Sequence, residues 1–268
     1  MQHVVMFSGG LGSFGALERV IARHGRQNVI PLFTDTKTED ADLYRFLDDV
    51  ERVLDIPITR IADGRDIWQV FRDKRYLANT RVDPCSLVLK RNMADRWLEQ
   101  HCDPQHTMVY VGIDWSEEHR YRRLMIRHFL DGWSYYAPLC EPPYIDKHDI
   151  MLSLVEQGIE VPRLYKLKFP HNNCGGGCTK AGIGHFVHLY HTLPDVYEKW
   201  EQGESGMRQF LGKDVSILRD RRGGKPKTLT LVQLRRRIEG HDVTPDECEE
   251  IGGCGCFADD PNDISHLL

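Results

Sequence analysis

Two sets of residues in this sequence have the types and spacing to do chemistry. The first is the run Met6 to Ser13, MFSGGLGS, in which Ser8, Gly9, Gly10, Gly12 and Ser13 mix hydroxyls with glycines. Preceded by Val4-Val5 and followed by Phe14 to Ile21, it reads as strand, tight glycine turn, helix. Such a turn suits an anion. Glycines let the backbone come close, and the first helical turn offers free N–H groups together with the positive end of the helix dipole. The second set is the eight cysteines. Cys174 and Cys178 flank three glycines, and Cys248, Cys254 and Cys256 lie in DECEEIGGCGCF. Where thiols stay reduced, clustered cysteines read as metal ligands or redox groups, whereas the isolated Cys102 and Cys140 read as packing residues.

The elements that must position these groups follow from pattern. Asn28 to Phe33 reads as a second strand running into Thr34-Asp35-Thr36. Asp42 to Leu54 has helical apolar spacing, and Pro57 to Ile61 reads as a third strand. Strand, helix, strand, helix, strand predicts a doubly wound parallel sheet of the Rossmann-like α/β class, with ligands beyond the carboxyl ends of the strands. The glycine loop and Asp35-Thr36 both fall there. Thr107 to Ile113 is a further buried strand, leading into Asp114 to Arg123. We expect a nucleotide-binding α/β domain over residues 1–192 and a helical, basic, cysteine-containing extension over 193–268.

Bulk properties limit the function classes. The 268 residues are 41% hydrophobic and 28% charged, an ordinary globular composition. A net charge of -5 gives no global attraction to nucleic acid, so any such contact needs a local patch. Arg219 to Arg237 supplies one, with eight Lys or Arg against a single acid. No apolar run approaches the ~20 residues that span a bilayer, and the first residues enter a strand, so the expected location is cytoplasmic, away from any membrane.

The glycine loop has neither the G-x-x-x-x-G-K-[ST] nor the G-x-G-x-x-G spacing. It resembles the S-G-G-x-x-S loop of the PP-loop superfamily, the adenine nucleotide alpha hydrolase-like proteins. TDTKTED with Tyr44 is similar to the D-T-x-x-E-x-x-x-T-Y signal of the phosphoadenylyl sulfate (PAPS) reductase-like branch, matching at Asp35, Thr36 and Glu39. Cys85 to Lys90 resembles its C-x-x-x-L-K segment, and Asp114 to Arg123 its G-I-x-x-D-E-x-x-R segment. There Glu117 or Glu118 takes the acidic place and Arg122 or Arg123 the basic one. Gly158 to Tyr165 and the pair Cys174/Cys178 follow in the same order, so the resemblance spans about residues 3–185.

The resemblance implies an adenine nucleotide held by Ser8, Gly9, Gly10, Gly12, Ser13, Asp35, Thr36, Lys90, Glu118, Arg122 and Arg123. The ligand is ATP with Mg2+, or an adenylyl sulfate compound. Cys85, Cys174, Cys178 and Cys254 are candidate ligands of a 4Fe-4S cluster, or alternatively of zinc, since such sites want four soft donors. Cys174, Cys178, Cys254 and Cys256 are equally candidate catalytic thiols, because thiolates near cations attack sulfur well. Two departures stand out. Gly12 occupies the place where ATP-splitting members carry an acid, and no E-C-G-[LI]-H segment ends the chain. The leading expectation is an ATP-dependent enzyme that adenylates a substrate and transfers sulfur, the acceptor being a base in tRNA or DNA docked on Arg219 to Arg237. A sulfur donor protein or a thiol reductant would be a further partner. The alternatives are a sulfonucleotide reductase using Cys254 or Cys256, and a nucleotide-binding module without catalysis.

Overall fold

The computed structural model describes residues 1–79, 82–129 and 131–252, and the expectations for Cys254 and Cys256 lie outside the described residues. Five strands form one parallel sheet: β1 (Gln2–Met6), β2 (Val29–Asp35), β3 (Thr59–Ala62), β4 (Thr107–Tyr110) and β5 (Ser134–Tyr136), in the order β3-β2-β1-β4-β5. In the register, Val4 sits beside Ile30 on one flank and Val109 on the other. The α/β class and the parallel, doubly wound sheet are therefore as the sequence pattern requires.

Strands buried on both faces need apolar residues at every position, not at alternate ones. β1 obeys this: Val4 and Met6 enter one core cluster, Val5 and Phe7 the other. On the face of Val5 and Phe7 lie α1 (Leu11–His24), α2 (Ala41–Leu54) and α7 (Lys147–Glu156), which contribute Leu17, Phe46 and Ile150. On the face of Val4 and Met6 lie α5 (Asn92–His101) and α6 (Glu118–Phe129), through Leu98 and Leu124. Asp40 starts α2 by accepting the Asp42 N–H at 2.9 Å, so the cap of that helix is not Asp35.

A third cluster joins α3 (Ile67–Asp73) to α9 (Ile183–Thr192), α10 (Pro194–Leu211) and α11 (Leu231–Glu239). Phe71, Phe186, Tyr197 and Leu234 are fully buried in it, so the residues on either side of position 192 share one core. Short helices α4 (Pro84–Ser86), α8 (Arg163–Lys166) and α12 (Pro245–Glu249) complete the chain, with an antiparallel pair β6 (Leu218–Asp220) and β7 (Lys227–Leu229). Glu204 on α10 is fully buried and accepts the Ile217 and Leu231 N–H groups at 2.9 and 2.6 Å, tying the helix to both ends of that hairpin. The chain then returns to the start of α9, where Gly182 and Gly184 donate to Ile251 and Glu250 at 2.9 and 3.0 Å.

Candidate nucleotide and thiol site

The order of the sheet reverses between β1 and β4, and a crevice opens where the loops after these two strands part. One wall is the glycine loop. Gly9 takes φ +74°, a conformation that favours glycine, and the chain then enters α1 at Leu11. Two residues from beyond α7 fix this loop: Asn172 donates to the Gly9 carbonyl at 2.9 Å, and the Leu11 N–H donates to the Tyr165 hydroxyl at 3.1 Å. Ser13 Oγ donates to the Gly10 carbonyl at 2.8 Å, and Ser8 Oγ to Ser13 Oγ at 3.2 Å.

The resulting cavity is lined by Ser8, Gly10, Gly12 and Ser13 on one side, and by Gly112, Asp114, Glu117 and Arg120 on the other. Lys90, Lys147, His171 and Asn172 complete it. A helix N-terminus faced by two lysines and an arginine favours an anion on that side, while Asp114 and Glu117 set carboxylates opposite it. Gly12 has a steric duty as well. A Cβ there would lie 2.4 Å from the Gly112 carbonyl oxygen, and a Cβ on Gly112 would lie 2.3 Å from the Ser13 nitrogen. The two loops touch backbone to backbone, which leaves no room for a side chain at position 12.

Beyond β4 the structure separates the two acids read as alternatives and brings in an arginine other than Arg122 or Arg123. Glu117 and Arg120 line the cavity and pair with each other. Glu118 and Arg122 instead pair across one exposed turn of α6 at 3.1 Å, and Arg123 is exposed on the same helix. The 3-10 turn Trp115–Glu117 that precedes α6 shifts the inward face by one to three residues. Asp35 does not line the cavity. Its carboxylate is engaged by the Lys37 N–H, Lys37 Nζ and the Tyr44 hydroxyl at 2.8, 2.8 and 2.9 Å. Burial alone would raise its pKa, but these bonds hold it below the ordinary range.

A second, smaller cavity adjoins the first. Thr36, Asp83, Cys85, Lys90, Cys174, Cys178, Thr179, Lys180 and Trp200 line it. Fold topology thus gathers three cysteines separated by up to 93 positions of sequence onto one wall. Lys90, on the wide helical turn Leu87–Arg91, faces both cavities, is 5% exposed, and lies 3.4 Å from Glu39. Burial, followed by the neighbouring Cys174 and Asp83, pushes the Cys85 thiol up to about 12, so it stays protonated at neutral pH.

Three of the four cysteines expected to hold a metal or cluster line this cavity, and the fourth, Cys254, lies outside the described residues. Among the described residues, no group of three Cys, His, Asp or Glu side chains is arranged to hold an ion. Two ammonium groups, Lys90 and Lys180, share the thiol wall. His185 and His188, which have ligand-like helical spacing with His191, instead donate to the Gly176 and Leu167 carbonyls, each at 2.7 Å. No described helix is long and apolar enough to cross a membrane.

Four of the eight cations in the basic run Arg219 to Arg237 pair with acids of this chain. Arg222 pairs with Asp242 and Glu247, Arg235 with Glu201 and Glu239, Arg237 with Asp220 and Glu247, and Arg221 with Glu250. Most of these acids lie outside the run.

Sequence reading missed Tyr165, Asn172, Lys147, Arg120 and Gly112 as cavity residues. The signals were the glycine two residues beyond β4 and the Asn172-Asn173 pair just before Cys174. No protein-family model matches this chain, and no curated protein sequence does so. Among solved structures, the chain is similar to the phosphoadenylyl-sulfate (PAPS) reductase of Candida auris, determined as a phosphate complex, with 16% identity and a TM-score of 0.44 over 63% of this chain and 77% of that one.

Proposed function

We propose that this protein is an adenine-nucleotide enzyme of sulfur chemistry. It holds the phosphate and sulfate groups of an adenylyl sulfate over the glycine loop, and a thiol from the adjoining cavity attacks the sulfur. The observation that carries this reading is Lys90, a buried cation shared by the anion cavity and the three-cysteine cavity. In the reaction, a thiolate of Cys174 or Cys178 forms a bond to the sulfate sulfur. The S–O bond to the phosphate breaks, and the adenine nucleotide leaves with that electron pair. A second thiol then attacks the S-sulfonated cysteine, giving a disulfide and releasing sulfite, and an external thiol reductant resets the pair. Lys90, Lys147 and Arg120 neutralise the leaving phosphate, which lowers the barrier electrostatically. Cys85, held protonated, is a poor attacking group.

The sulfonucleotide is favoured over ATP by the contact between Gly12 and Gly112, because the charge facing the ligand is supplied by fixed cations and no carboxylate fits at position 12. A second reading keeps ATP: Asp114 and Glu117 on the opposite wall offer carboxylates toward a magnesium triphosphate. In that case a substrate oxygen attacks the α-phosphate, pyrophosphate leaves, and sulfur is delivered to the adenylated carbon of a tRNA or DNA base.

Calorimetric titration of the protein with adenylyl sulfate and with ATP tests the reading. Lys90→Met removes a charge-assisted contact worth about 1.5–3 kcal/mol and should weaken binding roughly 10- to 150-fold. Unchanged affinity in Lys90→Met, or no binding of either nucleotide by the wild type, refutes it.

A further inference from the structure

Glu39 lies against Lys90, the residue that faces both cavities, and the reaction above gives it no part. Its side chain is 2% exposed and lies between β2 and α2. Oε1 accepts from Thr36 Oγ1 at 2.9 Å and lies 3.4 Å from Lys90 Nζ. Oε2 accepts the Cys174 N–H at 2.7 Å. That bond holds an unusual turn. Cys174 has φ +52°, a conformation side chains rarely adopt, followed by Gly175 at +62° and Gly176 at +91°. A Cβ on Gly175 would come within 3.1 Å of the Thr38 carbonyl, so the cysteine turn also packs directly on the loop that carries Glu39.

We infer that Glu39 is a positioning residue that couples anion occupancy of the glycine-loop cavity to the Cys174 turn, with Lys90 as the charge they share. The inference rests on the nucleotide reading above. When the anion cavity is empty, Lys90 serves as the counter-ion of Glu39. An anion arriving over Ser8 to Ser13 competes for the same ammonium, and in buried, low-dielectric surroundings that competition is strong. Oε1 is then less neutralised, and the carboxylate becomes a better acceptor for its remaining donors, the Thr36 hydroxyl and the Cys174 amide. The turn is clamped when the nucleotide is in place and looser when it is not. By linkage, loosening the turn weakens nucleotide binding by the same factor.

Amide hydrogen exchange on the full chain, read by mass spectrometry over residues 172–178, measures this clamp. It is run with and without adenylyl sulfate, and separately ATP, while calorimetry follows binding in the same samples. Bound nucleotide should slow exchange at Cys174 at least about fivefold, the lower end of typical coupling. Glu39→Gln should raise exchange in the free protein and abolish the nucleotide response while still binding nucleotide. Binding by the wild type with no change over 172–178 overturns the coupling and leaves the proposed function standing, and this comparison needs no variant to fold. A response that persists in Glu39→Gln assigns the protection to direct contact with nucleotide and also overturns it. Failure of both nucleotides to bind overturns the coupling and the proposed function together.

Discussion

Adding a side chain at Gly12 should damage the site. A Cβ there sits 2.4 Å from the Gly112 carbonyl oxygen, and real Cβ atoms essentially never come closer than 3.0 Å, so the β1 and β4 loops must separate by at least about 0.6 Å. The obstacle is backbone on both sides, which cannot rotate away. Overpacking of this kind costs about 1–3 kcal/mol, and the better helix propensity of alanine returns at most about 1 kcal/mol. Even with that return in full, the net loss reaches about 2 kcal/mol, which lowers the unfolding midpoint by up to roughly 8 °C at this chain length. Gly12→Asp gains a little from a carboxylate in the first turn of α1, but its larger side chain needs a larger separation. Gly206 on α10 is the internal control, since nothing lies within 4 Å of a Cβ there. Gly206→Ala should stabilise by up to about 1 kcal/mol. Thermal unfolding and nucleotide titration of the three variants decide the matter. If Gly12→Ala matches Gly206→Ala in stability and binds nucleotide like the wild type, the close contact of the two loops is not what excludes an acid from position 12.

Three further outcomes follow from the same geometry. Tyr165→Phe takes away the acceptor of the Leu11 N–H, so it should cost about 1–3 kcal/mol and loosen the glycine loop, measured by urea unfolding and nucleotide affinity. Burial raises Glu204 to about 7, against the opposing pull of its two backbone donors. Its folded pKa exceeds the unfolded one, so the stabilising contribution is complete below the ordinary glutamate range and is lost as pH rises toward about 7. Glu204→Gln should flatten that part of the stability profile, and an unchanged slope would contradict the assignment. Because Arg222, Arg235 and Arg237 are paired internally, charge removal at Arg222 should lower stability more than it lowers the affinity for a tRNA or single-stranded DNA probe, compared by unfolding and by fluorescence anisotropy at two salt concentrations.

Local patterns in the sequence were enough to place the sheet and the glycine loop. Val4, Val5, Leu32 and Val109 are apolar because both sheet faces are covered, and Ser8 to Ser13 breaks that run with residues only a tight turn needs. The site itself depends on pairings distant in sequence. Asn172 and Tyr165 reach the loop from more than 150 positions away, which no local window reveals. The pairing of the arginine run was hidden for the same reason: the partners Glu201, Asp242 and Glu247 are remote or lie beyond its end, so a charge count within the run does not show them. At α6 a single 3-10 turn was enough to turn Glu118 and Arg122 outward and bring Glu117 and Arg120 in. Gly12 looked like a lost carboxylate in sequence, and only the approach of Gly112 gives it a steric reason.

The most direct test of nucleotide-dependent sulfur chemistry is to quantify sulfite from adenylyl sulfate and pyrophosphate from ATP, using one reduced preparation and a thiol reductant. The geometry predicts sulfite release that needs the nucleotide, falls at least about tenfold in Lys90→Met, and is lost when Cys174 and Cys178 are both changed to Ser. Pyrophosphate without sulfite would favour the adenylating reading over the reductase. Release of neither product, from protein that binds neither nucleotide, would contradict the assignment of both cavities.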